Sequence, residues 1–121
     1  MKVRCIKLTD SMGNPREKSS RLSIGKTYHV LEVIQDTHHR WLLRLPGDGS
    51  NGVALFALEQ FEIVSVRIPH IWITKWNVNG GFSLTTEVWG QPGYWERYYD
   101  RDPEALKVFD EEKAKITQGD P

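Results

Sequence analysis

Apolar and polar residues alternate in short runs along much of this chain, the period-2 signature of half-buried strands. In residues 2–8, Val3, Cys5, Ile6 and Leu8 stand against Lys2, Arg4 and Lys7, a strand with a slip near Cys5. Residues 9–21 are polar and rich in turn formers, with Gly13-Asn14-Pro15 as the clearest turn signal. A loop this long in a small domain is often a binding loop or a mobile one. Residues 22–33 place Gly25 between an apolar anchor (Leu22, Ile24) and a run in which Tyr28 and Val30 share one face. Ile34 continues that strand, residues 35–39 turn it, and residues 40–45 read as the next. A glycine-rich connection over 46–52 leads to an apolar run at 53–56, one helical turn at 57–60 and a closing strand at 61–64.

The pattern changes after a junction at 65–69, where Pro69 cannot donate within a central strand. Residues 71–78 and 81–89 flank Asn79-Gly80, which predicts a hairpin closed by a two-residue type I′ turn. That register pairs Trp76 with Ser83, Thr74 with Thr85 and Trp72 with Glu87; the other face pairs Ile73 with Thr86, Lys75 with Leu84 and Ile71 with Val88. Ile71, Ile73, Phe82, Leu84 and Val88 then form the core face. Trp72 and Trp76 lie on the opposite one. Either that face is open and serves as a contact surface, or the rest of the fold covers it and the tryptophans are core; so small a protein favours the covered alternative. Residues 94–100 are densely aromatic and are expected to lay Tyr94, Trp95 and Tyr98 against the sheet as one or two helical turns. Asp102 as N-cap and Pro103 at N1 start a helix. Its docking stripe is Leu106, Phe109, Lys113 and Ile116, with Asp110-Glu111-Glu112 on the exposed side.

Leu22, Gly25, Tyr28 and Val30, then Trp41 opening a strand, then Gly52, Leu55-Phe56 and Phe61-x-Ile63 resemble an SH3-like barrel in order and spacing. The resemblance spans about residues 3–65. It implies a long loop before the glycine strand and a short 3-10 turn before the last strand. It does not imply the best-known ligand of SH3 domains. The first strand is Val-Arg-Cys-Ile-Lys-Leu, the loop is basic, and Phe56-Ala57 stands where a proline would be, all of which argue against binding Pro-x-x-Pro peptides. The expected fold is therefore mainly β (α+β): a barrel over 1–66, then a β-hairpin, aromatic segment and C-terminal amphipathic helix over 67–121, packed as one unit.

Composition narrows the function without naming it. The 121 residues carry zero net charge, five tryptophans and a single cysteine, which suits a folded domain without a disulfide framework. Cys5 reads as a small core residue. His38-His39 reads as an exposed turn, because adjacent side chains point apart and no ligand set surrounds them; no metal or cofactor is expected. No signal-peptide core or membrane-length apolar run is present, so the expected location is the cytoplasm. Residues 1–26 hold seven Lys/Arg against two acids, whereas residues from 67 on hold nine acids against seven bases. No nucleophile elbow or other catalytic set appears, and an enzyme is not expected.

Two binding readings remain, beside a structural or phage accessory role. In general form the chain resembles small bacterial immunity proteins, which neutralise a toxin domain by covering its active site. On that reading the partner-binding residues are Trp72, Trp76, Glu87, Tyr94, Trp95, Glu96, Asp110, Glu111 and Glu112, with acidic groups suited to a basic partner. The alternative is an SH3-like nucleic-acid or ribosome-associated module, with Arg16, Lys18, Arg21 and Lys26 contacting phosphates. The zero net charge stands against it.

Overall fold

The run from Thr27 to Gln35 organises the molecule because its backbone changes partners midway. In the computed structural model, which describes residues 1–49, 52–78 and 80–121, the Val30 N–H donates to Met1 O at 3.0 Å, whereas the next N–H, that of Leu31, donates to Arg44 O at 2.8 Å. The first half of the run is thus committed to one sheet and the second half to another. The elements are β1 (Lys2–Cys5), β2 (Thr27–His29), β3 (Glu32–Gln35), β4 (Trp41–Pro46), β5 (Val53–Ala57), a 3-10 turn (Leu58–Gln60), β6 (Phe61–Ser65), β7 (Trp72–Trp76), β8 (Phe82–Thr86), α1 (Tyr94–Tyr99) and α2 (Pro103–Gly119).

The protein is mainly β with a C-terminal helix. One antiparallel sheet has the order β2-β1-β6 and the other β5-β4-β3-β8-β7. The sheets are not closed onto each other by strand pairing, which departs from the barrel expected for the first half. The hairpin joins the larger sheet. Val33 pairs with Leu84 and Gln35 with Phe82, so β8 extends the larger sheet directly.

Aliphatic residues fill the space between the sheets: Val3, Val30, Leu31, Leu43 and Leu45 are all fully buried. On the other face of the larger sheet lie α1 and α2. There an aromatic set takes over, with Trp89 stacked on Phe109 at 5.7 Å between centroids and Tyr98 against Phe109 at 4.8 Å. Gly52 permits this contact. A Cβ there would sit 2.7 Å from the Tyr98 hydroxyl, and its φ of +77° is left-handed.

The hairpin register differs from expectation by one residue. Trp76 pairs with Phe82, Thr74 with Leu84, Ile73 with Thr85 and Trp72 with Thr86. The Asn77 N–H donates to Gly81 O at 3.2 Å, so Asn77 stands opposite Gly81, where a two-residue turn would put Val78. Asn79 of the expected turn lies outside the described residues. Since side chains alternate, one residue of slip exchanges the faces. Trp72 is buried, while Ile73 and Val88 of the expected core face are exposed. β8 also ends at Thr86, and Trp89 enters the helical layer from a turn instead of extending the strand.

The helix stripe shifts as well. Ala105, Phe109, Glu112 and Ile116 are its buried positions, so Glu112 leaves the exposed side assigned to it and Leu106 and Lys113 become flanking. The N-cap is as expected: Asp102 Oδ2 accepts from the Ala105 N–H at 3.0 Å, with Pro103 following.

Candidate functional site

Trp41 owes its position to the turn before it. Asp36 Oδ1 accepts from the His38 and Arg40 N–H groups, both at 2.9 Å, and Oδ2 accepts from Arg40 Nε at 2.9 Å. The Arg40 N–H, joined by the Arg40 guanidinium and the His38 N–H, holds the Asp36 carboxyl below the usual carboxylate range. This anchored turn starts β4 at Trp41, a residue 42% exposed. Phe82 packs edge-on against it at 6.3 Å, and Trp76 tilts over Phe82 at 4.7 Å. Trp76 is 75% exposed. The three rings form a row across β4, β8 and β7 that ends in solvent.

Trp41 also lines a groove of about 800 Å³ between residues 9–21 and the β4–β5 hairpin. Across it stands a loop pinned by Asp10, whose Oδ1 accepts from the Met12 and Asn14 N–H groups at 2.9 Å each. Met12 is 82% exposed at the loop tip. Leu55 and Phe56 supply the opposite wall, and Arg16 and Arg21 edge the groove. Arg21 lies over the Phe56 ring at 5.8 Å and donates from Nη2 to Gly52 O at 3.3 Å, while its Nε is buried with no acceptor among the described residues.

Beneath α1 lies a different constellation. Arg44 Nε donates to Glu32 Oε1 at 2.6 Å, and Arg44 Nη1 donates to the Tyr99 hydroxyl at 2.9 Å. The Thr85 hydroxyl and Trp95 Nε1 donate to Glu32 Oε2. Trp95 lies 4.0 Å from the Arg44 guanidinium carbon, a cation–π contact. Both charged residues are buried. With each carboxylate oxygen engaged, the pair is a satisfied interlayer contact. A cleft of about 590 Å³ opens beside it, walled by Trp95, Glu96 and the turn at 90–93.

The residues singled out from sequence divide by layer. Trp72 donates from Nε1 to Leu31 O at 3.0 Å and belongs to the core. Tyr94 is likewise interior, its hydroxyl donating to Ala105 O at 2.7 Å. Burial pushes its phenol up to about 12. Trp95 is half-buried over Arg44, and Glu112 is buried beside Lys115 at 3.6 Å. Trp76, Glu87, Glu96, Asp110 and Glu111 are exposed. Of the basic set, Lys26 pairs with Asp48 at 2.5 Å and Arg21 turns inward, whereas Arg16 and Lys18 are exposed. Trp41, Phe82 and Met12 were not singled out. Trp41 read as a strand opener and Phe82 as core, and only the true register puts Phe82 beside Trp76.

Among the described residues no three His, Cys, Asp or Glu side chains converge as a metal-holding group, and no helix is long and apolar enough to cross a membrane. No protein-family description, curated protein or solved structure matches this chain.

Proposed function

We propose that this protein is a non-enzymatic protein-binding module of the immunity or inhibitor type, acting in the cytoplasm by covering a partner such as a toxin domain. The observation that carries the reading is the open row Trp41–Phe82–Trp76 continuing into the groove under residues 9–21. Tryptophans exposed at the end of an ordered sheet have the size and rigidity of interface anchors. Exposed Glu87, Glu96, Asp110 and Glu111 suit a basic partner and would speed its approach. The order β1, long loop, β2–β3, β4, β5, 3-10 turn, β6 supports an SH3-like scaffold for the first half. The engagement of Arg21 with Gly52 O and the pairing of Lys26 with Asp48 weaken the nucleic-acid alternative.

The test starts from gene context. A toxin domain encoded beside this chain is co-expressed with it, and growth is expected to recover. Trp41→Ala and Trp76→Ala together should lose that protection while the circular dichroism and melting temperature stay near those of the parent. Full protection by the folded double variant, or none by the parent protein, overturns the proposal.

A further inference from the structure

Arg40 meets Asp36 at 2.9 Å, Lys26 meets Asp48 at 2.5 Å and buried Arg44 meets Glu32 at 2.6 Å. Arg21, half-buried on the groove wall, meets no carboxylate among the described residues. Ser50, Asn51 and Asn79, which lie outside them, have no carboxylate to bring. The Arg21 guanidinium lies over Phe56, its Nη2 donates to Gly52 O and its Nε is covered, so the cation is held in place with Nη1 open. A planar guanidinium fixed on an apolar wall is a preset seat for an anion.

The groove beside it is built before anything enters. The Thr9 N–H donates to the buried Gln60 Oε1 at 3.0 Å, the Arg16 N–H to Leu8 O at 2.9 Å and the Leu22 N–H to Ser19 Oγ at 3.2 Å. These bonds hold the wall of residues 9–21 in place. A volume of about 800 Å³ and a mostly apolar lining with a few polar groups suit a small ligand. Arg16 and Arg40 add positive charge to the rim. Of the two acids there, Asp10 is engaged by its own loop, and Glu59 stands beside Gly13, its Oε1 3.7 Å from where a Cβ would be.

We propose that this groove binds a small amphipathic carboxylate, its apolar body along Trp41, Leu55 and Phe56 and its head accepting from Arg21 Nη1. The body covers apolar walls that water solvates poorly, and the head supplies the anion that Arg21 lacks. The groove is the one that the partner-binding reading uses, yet a small acid needs no partner protein to bind, so either reading can fail alone.

Titration of the full chain with decanoate, decanol and decylammonium, followed by backbone amide NMR shifts, tests this. Decanoate is expected to bind roughly tenfold more tightly than decanol, and decylammonium more weakly than decanol, with the shifts gathered at residues 9–21 and 55–58. Arg21→Met keeps an apolar stem on Phe56 and removes the charge; it should bind decanoate and decanol alike, with decanol held as by the parent. Trp41→Ala should weaken both to the same degree. If Arg21→Met does not fold, the order of the three ligands on the parent protein decides. No binding at millimolar concentration, decanoate no tighter than decanol, or a decanoate preference that survives Arg21→Met overturns the proposal. Tighter binding of the peptide Phe-Leu-Asp than of decanoate also overturns it, and assigns the groove to a partner's chain.

Discussion

Two tryptophans on one strand have opposite duties. Trp72 is 8% exposed and bonds Leu31 O, so Trp72→Ala leaves a cavity and an orphaned carbonyl between layers. The expected cost is about 3–5 kcal/mol by urea denaturation. Trp76→Ala should stay within about 1 kcal/mol of the parent, because its ring touches Phe82 and otherwise faces water. Equal losses at both positions would contradict this division. Glu32→Gln strands the Arg44 charge beneath Trp95, and about 3–5 kcal/mol should be lost. Replacing Glu32 and Arg44 together with apolar residues should recover much of that loss. The sequence could not show this pair: Glu32 and Arg44 occupy strand positions that ordinarily read as solvent-facing, and only the placement of Trp95 and Tyr99 over them makes those positions interior.

Local signals located the elements well where the chain itself enforces them. The polar loop, the glycine at 25, the turn before β6 and the Asp102-Pro103 helix start were all legible, since capping and turn chemistry act between near neighbours. Asp102→Ala should accordingly cost about 1 kcal/mol in thermal unfolding through the lost Ala105 bond. The hairpin shows where such signals stop. Asn79-Gly80 marked a turn, yet the pairing depends on whether two or three residues close it. That choice was made by the docking of β8 on β3, a contact between residues about fifty apart. The aromatic row was hidden by the same slip.

For the whole molecule, Asp120 ties the C-terminal segment to β1 and β6. Its Oδ2 accepts from the Ser65 hydroxyl at 2.5 Å and meets the Met1 ammonium at 3.0 Å, and Lys2 lies beyond. The Ser65 hydrogen bond first, then the ammonium, brings the carboxyl down to about 2. A lowered folded value means the stabilisation is present above the ordinary aspartate range, near 4, and is lost as pH falls toward 2. Urea midpoints between pH 5 and 2 should fall less steeply in Asp120→Asn than in the parent; parallel curves would remove Asp120 from the acid response.

The Glu32–Arg44 pair has a further consequence for a chain made from its N-terminus. β3 and β4 emerge long before residues 82–86 occupy the free side of β3, and longer before α1 covers the sheet. Throughout that interval the uncovered face carries a hydrated carboxylate and guanidinium where an aliphatic pair would leave it greasy. The same two groups that are costly to bury in the finished fold keep the unfinished one from sticking to its neighbours.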